Sequence, residues 1–297
     1  MTEPATPTGA DGMIVCDRLV RIYTGVGIEV QALQGLDLLI AEGELTAVIG
    51  AAGSGKSTLM NILAGLDTPT AGAVWVAGHN LGAMTAKARL AYRRSVAGFI
   101  WQQTSRNLLP YMTARQNVLL PMRLSLLGRR ERLRRAGFLL DALGIAHCAD
   151  RTPDRMSGGE QQRAAIATAL ANQPKVLLAD EPTGELDSAT ARDVFSALQT
   201  ANTELGVTVL VVTHDPAVSS QVRRTIAIRD GRTSSETIRH AATDEQGETT
   251  LHAREYATLD RAGRPQRPRE MTRRLGMRKP GGIAGGARPY RRMTRPG

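Results

Sequence analysis

The strongest chemical signal in the chain is a run of eight residues with the pattern G-x-x-x-x-G-K-[ST]. An apolar run that favours a buried strand, LTAVIG, leads into it, and KSTLMNILAGL follows with helical apolar spacing. Glycines let backbone N–H groups close around phosphate oxygens, and a helix start adds the positive end of its dipole. We therefore predict a nucleoside triphosphate site, in which Lys56 reaches the β- and γ-phosphates and the Ser57 hydroxyl binds Mg²⁺. The predicted phosphate-binding residues are Gly50, Ala51, Ala52, Gly53, Ser54, Gly55, Lys56, Ser57 and Thr58.

Two adjacent carboxylates, Asp180 and Glu181, end the apolar run VLLA. A strand that ends in this way delivers both acids to the mouth of the sheet, beside the phosphate loop. There Asp180 is suited to hold Mg²⁺, and Glu181 is suited to polarise an attacking water as general base. Taken alone, such a pair would more often only solvate a strand end, but the phosphate loop favours the catalytic interpretation.

A third motif, MSGGEQQR, places Ser157, Gly158 and Gly159 at a predicted helix start, where a hydroxyl and free N–H groups again suit phosphate. A plain glycine-containing helix cap is the alternative. The motif resembles the LSGGQ signature of ABC ATPases, in its LSGGEQQR form with Met in place of Leu. In that family the signature faces the γ-phosphate held by the opposite subunit. The resemblance therefore implies a second ATPase subunit, in a head-to-tail homodimer.

The resemblance covers about Met13 to Arg232 and implies roles for further residues. Tyr23 stands where the family stacks adenine, and Gln102, after GFIW, where a glutamine senses Mg²⁺ and the attacking water. His214 in VTHD matches the histidine that contacts the γ-phosphate, and Asp187 in GELDS matches the dimer-interface loop. With ATP and Mg²⁺ as the implied cofactors, the implied catalytic residues are Glu181, His214 and Gln102, and the implied metal ligands are Ser57, Gln102 and Asp180.

Within the superfamily, GFIWQQ and NLLPYMTARQNVLLP resemble a group that includes macrolide exporters, lipoprotein-release ATPases and a cell-division ATPase. This implies a subunit that powers a separate integral membrane permease for the export of lipoprotein, lipid, peptide or drug. One alternative is an ATPase that regulates a non-transporting membrane partner, as in cell division. Another is a soluble, nucleic-acid-associated ABC ATPase. The chain lacks the long coiled-coil inserts, zinc-binding cysteines and second cassette typical of that class.

Strand and helix patterns alternate along the chain, which predicts an α/β fold with a mostly parallel, sandwiched sheet. The resemblance specifies a P-loop NTPase ABC cassette with an antiparallel β edge and a helical subdomain at about 103–164. Leu- and Arg-rich helical spacing over 113–143 agrees with that subdomain. The other elements predicted after the phosphate loop are strands at 73–78, 96–101, 176–180 and 207–213 and helices at 159–171 and 189–204.

Charge and composition restrict the partners. The chain carries a formal net charge of +10, but residues 261–297 hold twelve Arg or Lys side chains and one acid, Glu270, and residues 1–260 hold 26 basic and 27 acidic side chains. We therefore expect no specific nucleic-acid binding by the body. The predicted organisation is a disordered N-terminus (1–12), an ATPase domain (13–232) and a basic, flexible tail (233–297).

The cellular compartment of the protein can be predicted from its cysteines and from the lengths of its apolar runs. Cys16 and Cys148 are the two cysteines, and they lie outside any metal-ligand spacing, so the sequence indicates neither a disulfide framework nor a zinc site. We find no signal peptide and no apolar run long enough to span a bilayer. The expected location is the cytoplasm, peripheral to the inner face of the membrane through the permease.

Overall fold

The computed structural model describes residues 12–25, 28–103, 106–243 and 249–257. Its strands are β1 (Ile14–Gly25), β2 (Ile28–Ile40), β3 (Leu45–Ile49), β4 (Ala71–Val76), β5 (His79–Asn80), β6 (Ala97–Ile100), β7 (Val176–Asp180), β8 (Thr208–Val212), β9 (Arg224–Arg229), β10 (Arg232–Thr243) and β11 (Thr249–Ala257). Its α-helices are α1 (Lys56–Leu63), α2 (Ala86–Ser95), α3 (Ala114–Met122), α4 (Arg129–Ala142), α5 (Gly158–Ala169), α6 (Ser188–Thr203) and α7 (Pro216–Ser220).

The strands form two sheets. One is antiparallel, in the order β2-β1-β4-β5, and the other has the order β11-β10-β9-β3-β8-β7-β6. Within the larger sheet, β9, β3, β8, β7 and β6 are parallel neighbours. Because helices cover both faces of a parallel sheet, the central strands β3, β8, β7 and β6 are short and largely apolar. The antiparallel sheet is the β edge that the resemblance implies.

The parallel core is buried on both faces, as the alternation predicts. Leu177 and Val209 belong to one hydrophobic cluster, together with residues of α3 to α6. Their strand neighbours Leu178 and Leu210 belong to a second cluster, with residues of α1 and of the antiparallel sheet. Successive residues of a strand point to opposite faces, so a fully apolar strand joins two cores. The predicted α/β fold with a sandwiched parallel sheet is confirmed.

Helices α3 and α4 and the start of α5 lie within the segment predicted to be a helical subdomain. Helix α3 packs on α4 and α5. It begins with a capping box, in which the Thr113 hydroxyl accepts from the Gln116 backbone N–H and the Gln116 side-chain Oε1 accepts from the Thr113 N–H. Such a box satisfies two backbone donors that a helix start otherwise leaves without partners. Across the described residues, no helix is both long and apolar enough to cross a membrane.

Regular structure continues past residue 232, where the sequence predicted a flexible tail. Strand β10 pairs antiparallel with β9, and β11 pairs with β10. These strands are rich in polar residues, which left little apolar pattern in the sequence, and a backbone ladder joins them to β9. Arg224 on β9 also contacts the Glu236 carboxylate of β10 at 2.7 Å. Residues 1–11, 244–248 and 258–297, with the rest of the predicted tail, lie outside the described residues.

Candidate functional site

The phosphate loop connects the end of β3 to the start of α1, as predicted, and two of its glycines have no room for a side chain. A Cβ on Gly50 would lie 2.3 Å from the Ile228 carbonyl oxygen of β9. A Cβ on Gly55 would lie 2.5 Å from the Ala32 carbonyl oxygen of β2, and Gly55 has a φ of 100°, which favours glycine. The neighbouring strands therefore hold the loop in a tight curve with its backbone exposed.

The polar atoms of this loop fit a phosphate ligand. The buried Lys56 ammonium donates to the carbonyl oxygens of Gly50 (2.8 Å) and Ala51 (2.9 Å) across the loop. The Ser54 hydroxyl is buried and has no hydrogen-bond partner within the described structure. Ser57, the second residue of α1, is exposed. A confined cation, an unsatisfied hydroxyl and a helix start together form a site suited to an anion with several oxygens.

Asp180 is the last residue of β7, and Glu181 follows it. The Glu181 N–H donates to the Val212 carbonyl oxygen at 2.8 Å, and its backbone has a φ of 46°. A non-glycine residue in this left-handed region is strained, and such strain concentrates at functional sites. Burial raises the pKa of Asp180 above its ordinary value; the negative charge of Glu181 raises it further, and Lys56 partly opposes both. A divalent cation would relieve this unfavourable negative charge.

Glu181 lies beside two more of the predicted catalytic residues. Its Oε2 is 2.9 Å from Nδ1 of His214, the second residue after β8. A Cβ on Gly184 would lie 3.4 Å from the same Glu181 oxygen and 3.6 Å from Nε2 of Gln102, which follows β6. The structure therefore brings Gln102, Glu181 and His214 together at the carboxyl ends of neighbouring parallel strands, where ligands bind in such sheets.

The signature serine lies at the start of α5, as predicted. Its hydroxyl accepts from the Glu160 N–H at 3.3 Å, and a Glu160 carboxylate oxygen accepts from the Ser157 N–H at 2.7 Å. This backbone hydrogen bond, together with side-chain hydrogen bonds from Cys148 and His147, lowers the pKa of Glu160 to about 2. The charged capping box fixes the loop that carries Ser157, Gly158 and Gly159.

The side chains of His147, Cys148 and Glu160 have ligand atoms within 4.8 Å of one another, although the sequence showed no metal-ligand spacing around either cysteine. A 3₁₀ turn, Ala146–Cys148, brings the first two residues to the start of α5. Burial, and then Glu160, raises the pKa of Cys148 to about 11, so its thiol remains a proton donor. His147 Nε2 lies 2.9 Å from Glu160 Oε1. In this arrangement the group supports the Glu160 capping box.

Asp187 caps α6 and lies close to the signature segment. Its carboxylate accepts from the N–H groups of Ala189 and Thr190 and from the Thr190 hydroxyl, and these hydrogen bonds, the hydroxyl first, lower the pKa of Asp187. A Cβ on Gly159 would lie 2.4 Å from the Thr190 methyl group. The predicted interface loop and the signature segment are therefore packed together through the close approach of α5 to α6.

Tyr23 lies on β1, and its side chain is 38% exposed. Its hydroxyl donates to the Asp67 carboxylate at 2.8 Å, and the Arg21 guanidinium carbon lies 4.5 Å from its ring centroid.

The other predicted site residues fall into two groups. The phosphate loop, Asp180, Glu181, His214 and Gln102 surround the strand ends. Ser157, Gly158, Gly159 and Asp187 lie where α5 meets α6. Helix α5 packs chiefly on α3 and α6 and less on β6 and α4, whereas α1 packs on β2 and β7.

Known proteins carry the same cassette. Over residues 33–184 the chain matches the family described as ABC transporter. It is 45% identical over 206 residues to the macrolide export ATP-binding/permease protein MacB of Syntrophobacter fumaroxidans, covering 69% of this chain and 28% of that protein. It is 48% identical over 203 residues to MacB 1 of Yersinia pestis, covering 68% of this chain and 31% of the relative. The chain thus spans about a third of the length of these curated relatives.

Solved structures match over most of their own length. A dimeric ATP-binding cassette in a post-hydrolysis state, bound to ADP and Pi, is 37% identical with a TM-score of 0.68, covering 75% of this chain and 97% of that one. CbiO1 of Clostridium perfringens, part of an ABC transporter complex, is 28% identical with a TM-score of 0.68, covering 76% and 88%. The phosphate loop, the strand-end acids Asp180 and Glu181, and the helix that starts after Ser157 belong to a nucleotide-binding ATPase cassette, and the chain belongs to the ABC transporter family.

Proposed function

We propose that the chain works as one of two identical subunits that bind two ATP molecules at their shared interface and drive a separate membrane permease. Lys56 and the loop backbone hold the phosphates of ATP, and Tyr23 stacks on its base. Ser57, Asp180 and Gln102 hold Mg²⁺, which neutralises phosphate charge and supplies Lewis acidity when bound. The raised pKa of Asp180 and the unsatisfied Ser54 hydroxyl support this assignment.

Hydrolysis is assigned to Glu181, with His214 and Gln102 beside it. Glu181 accepts a proton from the attacking water, and His214, 2.9 Å away, is positioned to contact the γ-phosphate and to hold the Glu181 carboxylate in place. The single observation that carries the proposal is the convergence of Gln102, Glu181 and His214 at the same edge of the sheet as the phosphate loop.

A second subunit is needed because the signature serine, Ser157, lies where α5 meets α6 in its own chain. It does not belong to the group of residues around the phosphate loop. Ser157, Gly158 and Gly159 present a hydroxyl and a helix start that would close on the γ-phosphate held by the partner chain. Dimeric cassettes among the structural matches support this arrangement. Closure favoured by ATP and reversed by hydrolysis supplies the conformational work, because a ligand shifts an equilibrium by its difference in affinity for the two states.

The permease is expected to dock in a groove of about 320 Å³ next to Gln102. Its lining includes Phe99, Trp101 and Leu124 together with the cations Arg93 and Arg94. A groove lined by both apolar side chains and arginines suits an amphipathic cytoplasmic helix that carries acidic residues. Export as the direction, and attachment at the inner face of the membrane, are proposed from the macrolide export ATP-binding/permease relatives. Retention of the permease after charge reversal of both arginines would contradict this docking site.

Substitution of Glu181 by Gln tests the catalytic assignment. The variant keeps the shape of the side chain but cannot accept a proton, so we expect ATP turnover to fall by about 10²- to 10⁴-fold. ATP binding should remain, and a dimer stabilised by ATP should accumulate in size-exclusion chromatography with Mg²⁺. Glu204→Gln, at an exposed carboxylate just after α6, serves as the control and should retain turnover. Wild-type turnover in Glu181→Gln would remove Glu181 from its role.

A further inference from the structure

Tyr23 is held in place by a half-buried ion pair. Both oxygens of the Asp67 carboxylate face the Arg21 guanidinium, with Nε to Oδ2 at 2.9 Å and Nη2 to Oδ1 at 2.8 Å. Oδ2 also accepts from the Tyr23 hydroxyl at 2.8 Å. The Arg21 and Asp67 side chains are 23% and 19% exposed, so solvent competes for these bonds less than at an open surface. A bidentate pair of this kind fixes the tyrosine at its hydroxyl end.

The same pair also defines one face of the tyrosine ring. The Arg21 guanidinium carbon lies 4.5 Å from the ring centroid, within the range of a cation–π contact. An aromatic ring has two faces, and a cation on one of them leaves the other for a flat ligand. Since Tyr23 is 38% exposed, its ring has surface left for such a contact.

Asp67 lies just beyond the end of α1, the helix whose first turn carries Lys56 and Ser57. The segment that contains Asp67 is fastened to β1 by two more bonds, from the Thr70 N–H to the Val20 carbonyl oxygen at 2.8 Å and from the Ile22 N–H to the Thr70 hydroxyl at 3.0 Å. These bonds connect the strand that carries Tyr23 to the helix that begins at the phosphate loop, which sets the distance between the two.

We propose that Arg21 and Asp67 are positioning residues that hold the Tyr23 ring as a preformed platform for the base of the nucleotide, at a fixed reach from the phosphate loop. The inference rests on the proposed function, in which Tyr23 stacks on the base. Arg21 covers the rear face of the ring, Asp67 holds both side chains, and the base takes the remaining face. Preformed side chains bind a ligand more tightly because less conformational freedom is lost on binding.

Steady-state ATPase assays on the full chain test this assignment. Asp67→Asn and Arg21→Gln should each raise KM for ATP by about three- to ten-fold, the scale of one aromatic stacking contact. The kcat at saturating ATP should not change, because the base binds equally in the ground state and the transition state. Asp150→Asn, which breaks a bidentate Arg–Asp pair with Arg115 on the helical subdomain, is the matched control and should leave KM unchanged.

A ligand without a base separates positioning from general structural support. Inorganic tripolyphosphate with Mg²⁺ should inhibit the wild type and Asp67→Asn with the same inhibition constant, because it occupies the phosphate loop alone. If Asp67→Asn raises the inhibition constant of tripolyphosphate by the same factor as KM for ATP, Asp67 supports α1 as a whole and the proposal is overturned. If Arg21→Gln lowers KM for ATP, Arg21 occupies the face that the base needs, and the proposal is equally overturned.

A double-mutant cycle with Tyr23→Ala separates failure of this inference from failure of the proposed function. Tyr23→Ala should raise KM by itself, and Asp67→Asn should add no further increase in that background. If Tyr23→Ala leaves KM unchanged, Tyr23 is not the base platform and its proposed role fails. If Tyr23→Ala raises KM but Asp67→Asn does not, the platform stands and the positioning role of Asp67 is wrong.

Discussion

At Asp180 the requirements of the folded chain and of the proposed metal site oppose each other. Burial and the adjacent Glu181 raise the pKa of this carboxyl, so folding without a metal disfavours its ionised form relative to the unfolded chain. A group with a raised folded pKa contributes stability below its ordinary value of 3.8, and that contribution is lost as pH rises through the folded pKa. At neutral pH the ionised carboxylate therefore costs stability that a bound cation would restore.

Replacement of Asp180 by Asn tests whether the ionised carboxylate destabilises the fold in the absence of a metal. The variant should have a higher urea midpoint than the wild type at pH 7 without Mg²⁺. The difference should shrink as pH falls through the raised folded pKa of Asp180 and the wild-type carboxyl becomes protonated. ATP turnover should fall by at least about a hundred-fold, the scale of losing a group that organises transition-state charge. Asp193→Asn, at an exposed carboxylate on α6, is the control. A lower midpoint for Asp180→Asn at pH 7 would contradict the assigned cause of the pKa shift.

Single residues also show what the sequence could not predict. The motif around Lys56 and the acids that end the run VLLA indicated a phosphate site at strand ends, and the family resemblance added His214. Asp67 bonds to Tyr23 and Arg21, which lie 44 and 46 residues before it in the chain, and no local sequence pattern encodes these contacts. Which side chains meet across such distances depends on how β1 packs beside the end of α1, and that is a property of the fold.

At the scale of elements, the sequence predicted best where burial is complete. The strand predicted at 176–180 is β7, and the predicted helix at 189–204 differs from α6 by one residue at each end. Four apolar residues in a row, bounded by Lys175 and Asp180, favour a short buried strand. Helix α2 was missed because it is mostly polar, with Tyr92 as its buried residue. Strands β10 and β11 were missed for a similar reason, since backbone pairing at a sheet edge leaves little apolar pattern.

Helix packing yields a prediction that compares two glycines. A Cβ at Gly159 in α5 would lie 2.4 Å from the Thr190 methyl group, whereas a Cβ at Gly137 in α4 would meet nothing within 4 Å. We expect Gly159→Ala to lose about 1–3 kcal/mol of unfolding free energy through overpacking. Gly137→Ala should gain about 0.5–1 kcal/mol, because alanine restricts the unfolded chain more than glycine does. Urea denaturation measures both changes, and equal midpoints for the two variants would show that α5 and α6 are not in close contact.

At the scale of the whole molecule, the phosphate loop and the signature serine belong to different groups of residues. Loop, strand-end acids and His214 surround the ends of the parallel strands, and Ser157 lies at the start of α5, where it meets α6. In the proposed function each chain supplies one half of each site, so a two-fold symmetric pair would complete two sites at once. The sequence indicated this arrangement only through the resemblance of MSGGEQQR to a family signature, because spacing along the chain does not show which chain a motif faces.

Mixing two inactive variants tests this central claim most directly. Lys56→Ala disables the phosphate loop, Ser157→Arg disables the signature, and each variant alone should hydrolyse almost no ATP. In a mixed dimer both defects fall in one site, and the other site is intact. With random pairing half of the dimers are mixed, and each holds one working site of two, so the mixture should reach about a quarter of the wild-type rate. A mixture that stays as inactive as its parents would contradict a site built from two chains.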